Sequence, residues 1–133
     1  MMSNPSNIPA PQQITYHKIA HNLELVWEQA AFTLPAELLR VYSPSAEVRG
    51  HSDTERKLQT GKKNVGIRQI EAVGNYAIRL VFDDGHDTGI YAWDYLHDLG
   101  ANQERYWQDY LVELKQANAS RLPQIPVGQW SPP

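Results

Sequence analysis

Three apolar runs crowded between residues 65 and 93 constrain this chain more than any other feature. The runs 65–73 and 76–82 are separated only by Gly74-Asn75, and Asp84-Gly85 leads into the third, 88–93. Such pairs between alternating apolar residues are hairpin signals, because tight turns between twisted strands need positive φ. Tyr76, Ile78, Leu80 and Phe82 recur at every second position and are expected on one face. The spacing predicts an antiparallel meander at the centre of a sheet.

The flanks supply further elements. Residues 14–19 and 23–27 read as a first hairpin with His21-Asn22 at its turn, since Leu23, Leu25 and Trp27 alternate with polar positions. Leu34-Pro35-Ala36-Glu37-Leu38-Leu39-Arg40 predicts a short helix, with Pro35 in the first turn, where a missing N–H costs nothing. Residues 43–63 are polar and without period, which predicts a long loop. Residues 94–99 predict a helical turn ended by Gly100. The clearest helix is 103–117, with Asn102 as N-cap and Tyr106, Trp107, Tyr110, Leu111 and Leu114 forming one apolar stripe. Regular β–α alternation is absent, which argues against a doubly wound parallel sheet. The expected fold is α+β: a small, mostly antiparallel sheet of about five strands, a short helix, and a C-terminal amphipathic helix packed on it.

Length sets the scale, for 133 residues fit one domain. Residues 1–12 are rich in Pro, Ser, Asn and Gln, and 120–133 in Pro. Both are expected to be tails around a domain at 13–119, with Ile125, Val127 and Trp130 able to dock. The sequence has no cysteine, which excludes disulfides, thiolate zinc sites, iron–sulfur ligation and cysteine nucleophiles. A net charge of −3 argues against general nucleic-acid binding. No apolar run is long enough to span a bilayer and no signal peptide is visible, so the expected location is cytoplasmic.

Candidate chemistry is sparse. Asp83-Asp84-Gly85-His86-Asp87 is the densest polar cluster; its residue types suit a metal or acid–base chemistry, and equally a plain β-turn. His51-Ser52-Asp53 has the His-x-Asp spacing of non-haem iron oxygenases, for which His86 or His97 would have to supply the third ligand; too few strands are readable for the barrel such an iron needs. Arg49, Arg56, Lys57, Lys62 and Lys63 make the long loop basic, fit for an anionic ligand or simply a solvated surface. Trp93, Tyr95, Tyr106, Trp107 and Tyr110 lie close in sequence and read mostly as core, or else as a stacking surface for a ligand. Neither a phosphate loop nor a Ser–His–Asp assignment emerges, since Ser43 and Ser45 lack a nucleophile-elbow context.

Two longer runs, Leu39-Arg40-Val41-Tyr42-Ser43-Pro44-Ser45-Ala46-Glu47-Val48-Arg49-Gly50-His51 and residues 81–96, together with Gly61-Lys62-Lys63-Asn64-Val65 and Val73-Gly74-Asn75-Tyr76-Ala77, carry a resemblance. Over about residues 13–100 the chain resembles the γ-butyrobetaine hydroxylase-like N-terminal domain family. Members of that family precede the catalytic domain of γ-butyrobetaine and trimethyllysine dioxygenases, are fused to Mrp-type iron–sulfur carrier ATPases, or occur alone in bacteria. The dioxygenase modules bind structural zinc through Leu-Arg-x-x-Cys-Pro-Cys-x-x-Cys and a later histidine. Carried over by position, this sequence keeps Leu39, Arg40, Pro44 and His86, while the cysteines become Ser43, Ser45 and Val48.

The resemblance therefore implies the fold, and the departures imply a degenerate zinc corner with no metal and no cofactor. The expected function is a non-enzymatic accessory or interaction module with a protein partner, linked through the fused relatives to iron–sulfur or metabolic enzymes. No nucleic-acid or membrane partner is expected. Its surface is expected at Arg40, His51, Asp83, Asp84 and His86. The alternative is a small-ligand or metal-ion binding domain using His86, Asp84 and His51.

Overall fold

Alternation and turn chemistry produce two three-stranded antiparallel sheets. The computed structural model describes residues 8–50 and 56–123. In the first sheet β1 (Gln13–His17), β2 (Asn22–Val26) and β3 (Ala31–Pro35) lie in that order. Leu23 and Leu25 in the central strand face Leu34 and Phe32 of β3 across the register, and Leu23, Leu25 and Leu34 are buried. The second sheet is the expected meander, with β4 (Ile67–Val73), β5 (Ala77–Phe82) and β6 (Gly89–Ala92) in sequence order. Ile78, Leu80 and Phe82 point inward; Tyr76 precedes the strand and is exposed, so it does not share their face. The sheets meet where the Ile67 N–H donates to the Tyr16 hydroxyl (2.9 Å) and His21 Nδ1 donates to the Val65 carbonyl (3.1 Å).

The sixth strand is the main addition to the expected fold. Residues 31–35 form β3, and α1 (Ala36–Val41) begins only after Pro35. Phe32-Thr33-Leu34 is too short an apolar run to reveal its period. It becomes a strand because Leu34 pairs with Leu23 and closes the core. Pro35 occupies the position before the helix with extended backbone (ψ 141°), and the first helical N–H, of Ala36, donates to the His21 carbonyl (2.8 Å). Asn22, expected in the turn, is the first residue of β2. The long polar loop contains one helical turn, α2 (Ala46–Arg49), capped by Ser45 Oγ accepting from the Glu47 N–H (3.2 Å).

Helix α3 (Trp93–Ala101) runs straight from β6, and α4 (Gln103–Gln116) follows after Asn102. The Asn102 side chain does not cap α4; its amide donates back to Asp98 Oδ1 (2.8 Å). Tyr110 and Leu114 anchor the apolar stripe of α4, which lies over α1 and α3. Those helices in turn pack on β3 and β6. Residues 8–12 are tied to the first sheet: Trp27 Nε1 donates to the Pro9 carbonyl (2.7 Å) and the Gln12 N–H to the Val26 carbonyl (2.7 Å). Beyond α4, Arg121 makes a bidentate pair with the buried Glu37 carboxylate (2.8 and 2.7 Å), which also accepts from the Tyr110 hydroxyl (2.9 Å). Residues 1–7 and 124–133, including Ile125, Val127 and Trp130, lie outside the described residues.

Gly100 lies inside α3 rather than ending it, for a packing reason. A Cβ placed there would stand 2.3 Å from Phe32 Cγ and 2.8 Å from Phe32 Cβ, so the helix sits directly on the root of that side chain. Ala favours helices over Gly by about 1 kcal/mol. Gly100→Ala is nonetheless expected to destabilise the protein by roughly 1–3 kcal/mol through overpacking, read as a lower denaturant midpoint at unchanged m-value.

Candidate functional site

The end of α1, the turn of α2, the β5–β6 hairpin and residues 56–63 converge on one corner. Helix α1 places Arg40 and delivers the chain to Ser43; Ser45 caps α2; the hairpin contributes Asp84, His86 and Thr88. Gly85, at φ 93°, lets the turn close so tightly that the Gly85 N–H reaches the Phe82 carbonyl (3.1 Å). The Phe82 N–H then meets the His86 carbonyl (2.9 Å).

Asp84 is the hub of this corner. Its Oδ2 accepts from Arg40 Nε (2.8 Å) and Lys62 Nζ (2.6 Å), and its Oδ1 from the His86 N–H (3.1 Å). Arg40, nearly buried, also donates to Gln59 Oε1 (3.1 Å). One carboxylate thus joins α1, the loop and the hairpin. Burial pushes its pKa up, but Lys62, the His86 N–H and Arg40 outweigh that and hold it down to about 2.

The positions aligned with the family's zinc ligands make a second network. Ser43 Oγ and His86 Nε2 are 2.8 Å apart, and the Ser45 N–H donates to Ser43 Oγ (3.3 Å). Ser45 Oγ shares a hydrogen bond of 2.8 Å with Thr88 Oγ1, while Val48 is buried as an apolar side chain. These residues do not fit a zinc ion. One imidazole, two neutral hydroxyls and an isopropyl group offer no tetrahedral donor set, and the hydroxyls already bond each other's neighbours. Among the described residues no group of three or more His, Asp or Glu side chains is placed to hold a metal.

Ser43, His86 and Glu47 also line up in the order of a serine-hydrolase triad, with His86 Nδ1 3.6 Å from Glu47 Oε2. The arrangement lacks what acyl transfer needs. Ser43 is 0% exposed, walled by His86, Tyr91 and Gly89, where a Cβ would stand 2.6 Å from its hydroxyl. Glu47 is 68% exposed and beyond hydrogen-bond distance of the ring. Burial, then the Arg40 charge, pushes the His86 pKa down, so the ring stays neutral near neutral pH.

The structure therefore gathers Arg40, Ser43, Ser45, Val48, Asp84 and His86, and ties most of their polar atoms to one another. Asp83 stands apart: its N–H donates to the Gly66 carbonyl (2.9 Å) and its carboxylate lies against Gly66. His51 and Asp53 lie outside the described residues. His97 is not a ligand candidate; it packs edge-on between the rings of Trp27 (5.2 Å) and Phe32 (5.1 Å). Glu47, Gln59 and Thr88 were not singled out from sequence. Thr88 follows His86 at a strand's two-residue spacing, which would have placed both on one side; nothing in the sequence marks Gln59.

Fold and corner together define a small α+β domain with a Leu-Arg-x-x-Ser-Pro-Ser corner closed by a hairpin histidine. Residues 14–97 match the family described as gamma-butyrobetaine hydroxylase-like, N-terminal, and the chain belongs to that family. Two proteins solved by NMR in solution are similar throughout. One is 45% identical, covering 93% of this chain and 98% of its own at a TM-score of 0.79. The other is 46% identical, with both chains wholly covered and a TM-score of 0.78. A crystal structure from Acidithiobacillus ferrooxidans, a protein of unknown function of the DUF971 family, is 35% identical over 74% of this chain and 99% of its own, with a TM-score of 0.59. No curated protein matches the chain.

Two outcomes are expected. Asp84→Asn strands the Arg40 guanidinium and is expected to cost about 2–4 kcal/mol, seen in urea unfolding at pH 7. Because the folded-state pKa lies below the ordinary carboxylate value near 3.9, this contribution is complete above about pH 4 and lost as pH falls through about 2; the variant is expected to lose that part of the acid dependence. Second, EDTA is expected to leave the melting temperature unchanged, and elemental analysis of protein purified without chelator to give no stoichiometric zinc.

Proposed function

We propose that this chain is a non-enzymatic accessory module that docks a protein partner through the face built by residues 56–63, the 83–87 turn and the end of α1. The observation that carries this reading is the Asp84 hub, where one carboxylate fixes three segments distant in sequence. Loops pinned in this way offer a preorganised surface, which lowers the ordering cost of association. The charges that could have served a reaction are spent on each other, while Lys57, Lys63, Asp83 and Asp87 remain exposed around them.

The resemblance supports the same reading, since the family's modules stand next to catalytic or carrier domains in longer chains. It points to a partner that handles iron–sulfur clusters or to a metabolic enzyme. The cytoplasm is the proposed location: the sequence has no cysteine, and no helix among the described residues is long and apolar enough to cross a membrane.

The test is capture of partners by the full chain at physiological salt, beside a Lys57→Glu/Lys63→Glu variant that reverses two exposed charges without touching the hub. A partner held by the wild type and released by the variant is the expected result. Absence of any partner, or equal retention by both, counts against the docking face. A fluorophosphonate probe is expected to leave Ser43 unlabelled; stoichiometric labelling at Ser43 would overturn the non-enzymatic assignment.

A further inference from the structure

A buried carboxylate calls for a counter-charge, and the one given to Glu37 comes from beyond the last helix. Glu37 is 4% exposed in the first turn of α1, and its partner Arg121 stands 84 residues further along the chain. Helix α4 ends in a Schellman motif: Asn118 takes the positive-φ position (51°), and the Ala119 N–H donates to the Leu114 carbonyl (2.9 Å). Residues 118–123 then run as a strap past the loop at 60–63. The Gly61 N–H donates to the Ser120 carbonyl and the Lys63 N–H to the Arg121 carbonyl (2.9 Å each). We propose that this strap is a latch that orders the docking face, closed by Arg121 on Glu37. The proposal deepens the docking reading and rests on it for the latch's use.

Among the described residues, Gly61 and Lys63 are the N–H groups between 58 and 64 that find a main-chain acceptor, and both acceptors belong to the strap. Lys62, whose ammonium reaches Asp84 Oδ2 (2.6 Å), lies between them. Its side chain is thus held by the hub and its backbone by the strap on either side. Neither strap bond is strong alone, because Ser120 and Lys63 are exposed and water competes for such groups. The strap stays in place through Arg121, seated by Nε and Nη2 on one carboxylate (2.8 and 2.7 Å) with Cζ 4.9 Å from the centre of the Trp107 ring.

The latch has two states that differ in named contacts. Seated, the strap presents both carbonyls to the loop. Unseated, Glu37 keeps the Tyr110 hydroxyl (2.9 Å), so α1 and α4 stay joined while the loop loses both main-chain acceptors. The Arg121 side chain is 34% exposed, so it leaves for water without unpacking the core. The Glu37 carboxylate, buried and short of its counter-charge in that state, draws it back. Linkage then runs both ways: a partner that binds the ordered loop favours the seated strap, and release of the strap weakens the partner.

The test is amide hydrogen exchange on the full chain, wild type beside Arg121→Gln, with Gly61 and Lys63 read against Leu25 and Leu80 in the central strands of the two sheets. Exchange at Gly61 and Lys63 is expected to accelerate about tenfold or more beyond any change at Leu25 and Leu80. Arg121→Lys keeps the charge and lacks the planar fork; it is expected to show the same pattern at about threefold or more, and keeps the test decisive should Arg121→Gln unfold. Acceleration no greater at the loop than in the strands, in either folded variant, overturns the latch. A partner captured by the wild type is expected to bind Arg121→Gln at least about fivefold more weakly, and equal affinity overturns the coupling. The exchange measurement needs no partner, so a docking face that captures nothing and a latch that does not hold the loop are told apart.

Discussion

One carboxylate, on Asp84, receives two cations, from Arg40 forty-four residues away and Lys62 twenty-two residues away, and the backbone N–H of His86 in its own turn. The dependence is mutual. Arg40 is nearly buried at the end of α1, and a guanidinium in that position is tolerable only with a counter-charge and satisfied donors. Fixing Arg40 fixes the end of α1, and so the direction in which the chain leaves toward Ser43. Fixing the hairpin turn aims His86 back at that serine. The hydroxyl–imidazole network is thus downstream of the ion pair.

The corner also illustrates how geometry can mislead when burial is ignored. Ser43, His86 and Glu47 follow one another as a triad would, and a distance list alone would nominate a nucleophile. A nucleophile needs an approach path for a carbonyl, and Gly89 and Tyr91 close the one toward Ser43. Ser43 and His86 are better understood, with Ser45 and Val48, as a buried plug. Ser43 satisfies the Ser45 N–H and the imidazole, Ser45 satisfies the α2 cap and Thr88, and Val48 fills the remaining volume. Small hydroxyl side chains are suited to this because each can donate and accept in whatever direction its neighbours require.

Much of the fold was legible because its signals are local. The Gly74 and Asp84-Gly85 turns announced the meander, and the stripe from Tyr106 to Leu114 announced α4. What escaped was set by distant partners. Phe32-Thr33-Leu34 becomes a strand only because Leu23 and Leu25 wait opposite. Gly100 resembles a helix stop and is instead a contact with Phe32. Asn102 resembles a cap and instead turns back to Asp98. At the corner, family resemblance placed Ser43, Ser45, Val48 and His86 together, yet could not reveal that Asp84 is a structural counter-ion.

The Glu37 clamp bears on how the domain would transmit mechanical load. Arg121 is held through Nε and Nη2 by a carboxylate rooted in α1, and its carbonyl accepts from the Lys63 N–H (2.9 Å). Tension applied through the C-terminal side would therefore enter at α1 and at the 61–63 loop, whose Gly61 N–H donates to the Ser120 carbonyl (2.9 Å), before it could peel α4 from its outer end. Two parallel charge-assisted bonds loaded together resist such a pull better than bonds broken one after another. Any neighbour joined through that side would tug directly on the helix that ends in Arg40, and so on the orientation of the whole polar corner.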